Sequence, residues 1–168
     1  MRINKPELIV KGTTSELTLA DRFIHFLIRL GINRSKYRVD PGLYALGNPI
    51  VDSPVFVTAN YALSFDALRT SIAPIDCYIL VLDTKGINVW CAAGKGTFGT
   101  EELENRINVT SLDQVVNHRK LILPQLGAPG VAAHEIKTNT GFHIGFHPKA
   151  SSMKFTIVDN IEGNYNDN

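Results

Sequence analysis

Cys91 is the residue whose surroundings suggest chemistry. It stands in the run Asn88-Val89-Trp90-Cys91-Ala92-Ala93-Gly94-Lys95. A thiolate is both a nucleophile and a soft metal ligand, and a neighbouring cation favours its formation. Lys95 is four residues on, one turn away if the segment is helical. Ala92, Ala93 and Gly94 are small enough to let a large flat ligand approach the backbone. The competing reading is a small apolar packing residue, which free cysteines often are. Cys77 opens the apolar run Cys77-Tyr78-Ile79-Leu80-Val81-Leu82 and reads as packing alone.

Other patterns are weaker. Gly94-Lys95-Gly96-Thr97-Phe98-Gly99 has the letters of a dinucleotide fingerprint. Such a fingerprint opens directly at a strand end, and here the apolar run stops near Asp83, well before Gly94. A P-loop needs Ser or Thr after its lysine, and Gly96 follows Lys95. The histidines form no H-E-x-x-H pattern, and no C-x-x-C pair points to zinc or an iron–sulfur cluster. A Cys–His nucleophile pair stays open, with His118 or His134 as partner of Cys91.

These residues need a scaffold. The chain has 168 residues, 44% hydrophobic and 20% charged, with a formal net charge of +1. That is one domain's worth of chain, which buries roughly 70% of its unfolded surface on folding. The composition excludes a disordered chain. The balanced charge argues against a nucleic-acid binder. No apolar run approaches the ~20 residues that span a bilayer, and the amino terminus lacks the apolar core of a secretory signal.

Apolar residues at Leu19, Phe23, Phe26, Leu27 and Leu30 predict a helix over Thr18 to Leu30, stopped by Gly31. Residues 1 to 16 show no periodicity. Tyr37 to Pro49 reads as an irregular connection with turns at Pro41-Gly42 and Gly47-Asn48. Then come a strand at Val55–Thr58, a helix at Ser64–Ile72 capped by Ser64, and a buried strand at Cys77–Leu82. Helices follow at Glu101–Ile107, capped by Thr100, and at Ser111–His118, with a Ser111/Gln114 capping box. A strand at Leu121–Leu123, a helix at Val131–Thr138 and a strand at Phe142–Phe146 complete the pattern. Strand–helix alternation with continuously apolar strands predicts an α/β fold: a Rossmann-like, mostly parallel sheet with helices on both faces. The expected organisation is a helix and linker over 1–33, one domain over 34–150 and a polar tail over 151–168.

Ligands of open α/β sheets bind outside the carboxyl ends of the strands. That rule selects the loops Thr58–Tyr61, Asp83–Gly99 and Pro124–Gly130, and the stretch after Phe146. The second loop is far longer than the usual two to six or so residues, which marks it as functional.

The run from Gly86 through Leu103 closely resembles the signature of the mercury-methylating corrinoid proteins, N-[VI]-W-C-A-[AG]-G-K. The resemblance extends over Tyr37–Asn60, Leu63–Arg69, Ile79–Lys85 and Leu121–His134, about residues 34 to 146 in all. More distantly, the domain is similar to the corrinoid domain of the corrinoid iron–sulfur protein large subunit. The resemblance implies a cap helix over a cobalamin or related corrinoid held base-off, with Cys91 as lower axial cobalt ligand. Asn88 and Trp90 would support the cap helix. Val89, Ala92, Ala93, Gly94, Lys95, Gly96 and Thr97 would line the cofactor, with Thr58, Asn60, Gln125, Gly127, Ala128 and Gly130 from the neighbouring loops.

The function this resemblance implies is methyl transfer from methyl-Co(III) to Hg(II), giving methylmercury. The implied partners are a methyl-folate or methyl-pterin methyltransferase and a ferredoxin-like protein with two 4Fe–4S clusters, in an anaerobe. No cluster is expected in this chain, and no nucleic-acid partner. Family members are anchored at the cytoplasmic face of a membrane by helices absent here, which implies a soluble cytoplasmic head. Phe146-His147-Pro148-Lys149-Ala150 departs from the family's usual ending. Two other readings remain: a corrinoid methyl carrier of one-carbon metabolism that does not act on mercury, and a non-catalytic corrinoid-binding module.

Overall fold

A computed structural model describes residues 9–32 and 36–147. The polar tail expected over 151–168 lies outside the described residues. Six strands form one sheet: β1 (Val10–Thr13), β2 (Gly42–Leu46), β3 (Val55–Ala59), β4 (Cys77–Leu82), β5 (Lys120–Pro124) and β6 (His143–His147). Their order is β1-β2-β4-β3-β5-β6. β3, β4, β5 and β6 run parallel, and β2 is antiparallel to β4. The expected mostly parallel α/β sheet is the architecture found.

The central strands explain their own composition. Every residue of β3 and β4 is buried. Tyr78, Leu80 and Leu82 enter one core with Val57, Leu103, Leu121 and Ile136. Cys77, Ile79 and Val81 enter the other with Phe56, Phe65 and Leu68. Side chains alternate between sheet faces, so a strand covered on both sides is apolar at each position.

The helices divide accordingly. α2 (Ala62–Ser71) covers the second core. α3 (Val89–Lys95), α4 (Thr100–Val109), α5 (Leu112–Val115) and α6 (Ala133–Thr140) cover the first. The connection after β3 thus lies on one face and that after β5 on the other. The switch point falls between these adjacent parallel strands, and their carboxyl ends open the crevice where ligands of such sheets bind.

α1 (Leu19–Arg29) begins with a capping box between Thr18 and Asp21. It ends in a Schellman turn: Gly31 at φ 80° donates to the Ile28 carbonyl, and Ile32 to that of Leu27. The predicted helix and its glycine stop are both present.

Several local expectations are corrected. Val10–Thr13, read as linker, is an edge strand paired to β2. The expected irregular stretch contains β2, whose Leu43 and Tyr44 pair with Leu80 and Ile79. These strands are short, and their pairing partners are distant in sequence, so local pattern did not reveal them. Thr100 is not a cap, because Gly99 takes that position. Its hydroxyl instead accepts from the Ala132 amide at 2.8 Å, tying α4 to the start of α6. Ser64 lies inside α2, which Tyr61 precedes as cap without a side-chain bond. Ser111 is left-handed at φ 47° and makes no side-chain cap bond, so the capping box with Gln114 does not form. α5 is correspondingly a single turn.

Candidate functional site

The Asp83–Gly99 segment is a tight turn and a short helix rather than an open loop. Asn88 caps α3, its Oδ1 accepting from the Cys91 amide at 3.0 Å. Gly96 ends the helix in the left-handed region at φ 78°. Val89, Ala92 and Ala93 form the buried face. Trp90, Cys91, Gly94 and Lys95 form the exposed one. Trp90, expected to support the cap helix, is 68% exposed.

The small buried residues let α3 lie close to the 3₁₀ turn Gln125–Gly130, which follows β5. A side chain at Gly130 would collide with the Phe98 carbonyl and press on Ala93. One at Gly127 would enter the Phe98 ring. These two glycines therefore serve packing between the loops. Gly94 is different: a side chain there would meet nothing within 4 Å. It stands three residues after Cys91, on the same helical face. A thiol, an indole and an open glycine thus share one surface at the carboxyl edge of the sheet.

The turn before α3 is built from buried polar groups. Asn60 is 1% exposed. Its Oδ1 accepts from the Thr84 amide (3.1 Å), the Thr84 hydroxyl (2.9 Å) and the Gly86 amide (3.0 Å). Its Nδ2 donates to Asp83 at 3.3 Å. The single Thr84 hydroxyl proton is shared between Asn60 Oδ1 and the Ile87 carbonyl, 2.7 Å away and one residue before the cap. This network holds Lys85 and Gly86 at φ 59° and 72°, a region that a lysine seldom adopts. Lys85 donates to Asp83 through both its amide and its ammonium. Hydrogen bonding from the Lys85 side chain is the main cause that lowers the Asp83 pKa below 3.8, against the opposing effect of burial. Glu102 accepts from the Asp83 amide at 2.8 Å and pairs with Arg106, joining the turn to α4.

Each predicted site residue can now be placed. Asn60 and Thr58 are buried, and the Asn60 carboxamide is occupied by the turn rather than offered to a ligand. Thr97 is half-buried beneath the end of α3. Gln125 is exposed and Ala128 half-buried on the facing turn. Sequence reasoning missed Leu126, 50% exposed on that turn, and the Asp83–Lys85–Glu102 cluster. The left-handed Lys85-Gly86 pair had no signal beyond its glycine.

The two cysteines separate sharply. Cys77 is fully buried, and burial first, then the charge of Asp76, push its thiol up to about 12. Cys91 is exposed. No Cys–His pair with His118 forms: its Nε2 meets the Ser53 carbonyl at 2.8 Å, beside the amino end of β3. Its Nδ1 accepts from the Lys120 amide. His134 is exposed on α6 beside Glu135. A hollow of about 540 Å³ lies elsewhere, below the amino end of α1, with Asp21, Asp66 and Arg69 in its wall. Those groups bind one another, so the exposed face of α3 remains the better site.

Comparison with known proteins decides the family. Residues 30–158 match the family model of the CO dehydrogenase/acetyl-CoA synthase delta subunit. The chain belongs to that family. It is 33% identical over 121 residues to the acetyl-CoA decarbonylase/synthase complex subunit gamma of Methanopyrus kandleri, covering 71% of this chain and 26% of that protein. To the subunit gamma of Archaeoglobus fulgidus it is 33% identical over 114 residues, covering 67% and 24%. To that of Methanocaldococcus jannaschii it is 36% identical over 107 residues, covering 62% and 22%. The chain therefore spans about a quarter of the length of these relatives.

This corrects the assignment to the mercury-methylating proteins, and with it methyl transfer to Hg(II). The Asn88–Lys95 motif is shaped by the needs of a capped helix seated on a glycine turn. Those needs concern packing and the face offered to a ligand. They do not specify the acceptor of a methyl group. Among the described residues, no helix is long and apolar enough to cross a membrane.

Proposed function

We propose that this chain is a corrinoid-binding module of the acetyl-CoA decarbonylase/synthase type, working as a methyl carrier in one-carbon metabolism. The observation that carries the reading is the outward face of α3. Cys91, Trp90 and Gly94 share it at the carboxyl edge of the sheet, and the space above Gly94 is open. These residues fit a large flat cofactor with a soft metal at its centre. When bound, the corrinoid's cobalt supplies a centre that takes up and releases methyl groups.

The chain's own residues bind and orient. Cys91 would hold the cobalt through its sulfur. A sulfur donor suits a soft metal centre and tunes its electronics. Asn88 fixes the first turn of α3, and therefore the direction of the Cys91 side chain, through the 3.0 Å bond to the Cys91 amide. Trp90 would cover the cofactor and restrict water, Gly94 and Gly96 would let its ring approach the helix, and Gln125 and Ala128 would contact it from the facing turn. Asn60 and Thr84 act at a distance, as positioning residues for the helix.

The module works beside other subunits of a complex in the cytoplasm. A methyl-folate or methyl-pterin methyltransferase provides the methyl group, and a ferredoxin-like protein provides electrons for reactivation.

Anaerobic reconstitution with hydroxocobalamin tests this. The wild type is expected to bind and to shift the visible spectrum of the cofactor. Cys91→Ala should lose the shift and bind at least ten-fold more weakly. Equal spectra and affinities would remove the ligand role of Cys91. No binding by either protein would remove the corrinoid reading itself.

A further inference from the structure

α1 is inverted relative to its own hydrophobic pattern. Leu19, Phe23, Phe26 and Leu30 follow one another at spacings of four, three and four, the seam of a two-stranded coiled coil. Such a seam is normally buried. Here the four residues are 84%, 61%, 57% and 59% exposed.

The inward face of α1 is instead held by charge. Asp21 bonds the Arg69 guanidinium at 3.0 Å, and His25 meets Asp66 at 2.7 Å. Arg69 also bonds Asp66 at 2.6 Å and the carbonyls of Thr14 and Glu16. Ile28 alone enters the interior fully. A rotation that buried the phenylalanines would strip these buried groups of their partners.

The rim of the seam says what it fits. With Leu19 and Phe26 at d positions and Phe23 and Leu30 at a positions, Arg22 and Arg29 fall at g. Both are exposed. Ala20 and Leu27 take the e positions, and the only acid of the helix, Asp21, is turned to Arg69. An antiparallel second copy would set Arg22 against Arg29 across the seam, where like charges oppose pairing, and a parallel copy would set Arg22 against Leu27, which offers it no counter-charge. A helix carrying Asp or Glu at the facing positions meets no such opposition.

We propose that the outward face of α1 docks an amphipathic helix of a partner protein, whose apolar seam is flanked by acidic residues. A face this short suits a weak, reversible contact rather than a permanent one. The proposal is independent of any cofactor.

The test uses the full chain and two stapled helical peptides with leucine at every a and d position. One carries glutamate at e and g, and the other lysine. Fluorescence anisotropy is expected to show the acidic peptide binding at least ten-fold more tightly. Phe23→Asp should weaken it at least ten-fold without altering the circular dichroism. The double change Arg22→Glu, Arg29→Glu should reverse the preference. Equal binding of both peptides, or binding indifferent to Phe23→Asp, would overturn the proposal. So would a concentration-dependent dimer that Phe23→Asp dissolves, which would make a second copy the occupant. Tighter peptide binding after Phe155→Asp and Ile157→Asp would also overturn it, by showing that the chain's own terminal segment covers the face.

Discussion

The α3 edge and the α1–α2 corner orient their helices by opposite means. α3 is held by small apolar residues from below and by a hydrogen-bonded turn at its start. Its outward face carries Trp90, Cys91 and Lys95. α1 is held by buried ion pairs from below, and its outward face carries phenylalanine and leucine. In neither case does hydrophobic pattern alone choose the buried side. The buried side carries a close backbone approach at α3 and a set of paired buried charges at α1. Glycine shows the first mechanism directly, since Gly130 has no room for a Cβ and Gly94 has nothing near one.

The comparison breaks most easily at Arg69. Arg69→Ala would leave Asp66 with His25 alone and strand two backbone carbonyls in a site only 6% exposed at residue 69. Removing one partner of a buried ion pair costs about 3–5 kcal/mol. Urea unfolding should show that loss, and hydrogen exchange should place the largest increase in α1 while α3 stays protected. Exchange that rises equally in both helices would mean that the two regions are one cooperative unit.

Asn60→Ala tests the other side. It leaves the Gly86 amide without its acceptor and the Thr84 amide with only the Leu82 carbonyl, at about 1–3 kcal/mol for buried groups left unsatisfied. Exchange should increase over residues 84–93 and not in α1. If Cys91 binds cobalt as proposed, the cobalamin spectrum of this variant should also move toward that of Cys91→Ala. A variant destabilised without either change would reduce Asn60 to a general packing role.

Acid gives the smallest effect and touches both regions. At Asp21, burial opposes ionisation, but hydrogen bonds from Thr18 and Arg69 together outweigh it and leave the pKa below 3.8. Asp83 is lowered as well, mainly by Lys85. A carboxylate with a depressed folded pKa stabilises above its unfolded pKa and loses that contribution as pH falls through the folded value. Stability should therefore be flat above about pH 5 and decline below about pH 4. Asp21→Asn and Asp83→Asn should each flatten part of that decline, measured as urea midpoint against pH.

How much was legible in the sequence depended on how local the physics was. The strand at Cys77–Leu82 was readable because burial on both faces leaves an unbroken apolar run. The end of α1 was readable because Gly31 is intrinsic to a left-handed stop. Cys77 was readable as packing for the same reason as its strand. β1 and β2 were not, since short strands acquire their identity from partners far along the chain. The site was half legible. The small residues Ala92, Ala93 and Gly94 stand out in the sequence, whereas the buried role of Asn60 and the exposure of Trp90 depend on distant contacts.

The sequence by itself determined the α/β class and the central strands, because periodicity and backbone preference act within a few residues; the segment that carries Cys91 reads from it as a loop and is a short helix. The tertiary structure decided which faces were left open. That choice depends on contacts between distant segments: Asn60 with Thr84 and Gly86, Gly130 with Phe98, and Arg69 with Asp21. The apolar stripe of α1 and the tryptophan of α3 lie outside, on the sides of their helices away from the buried ion pairs and the close backbone contacts.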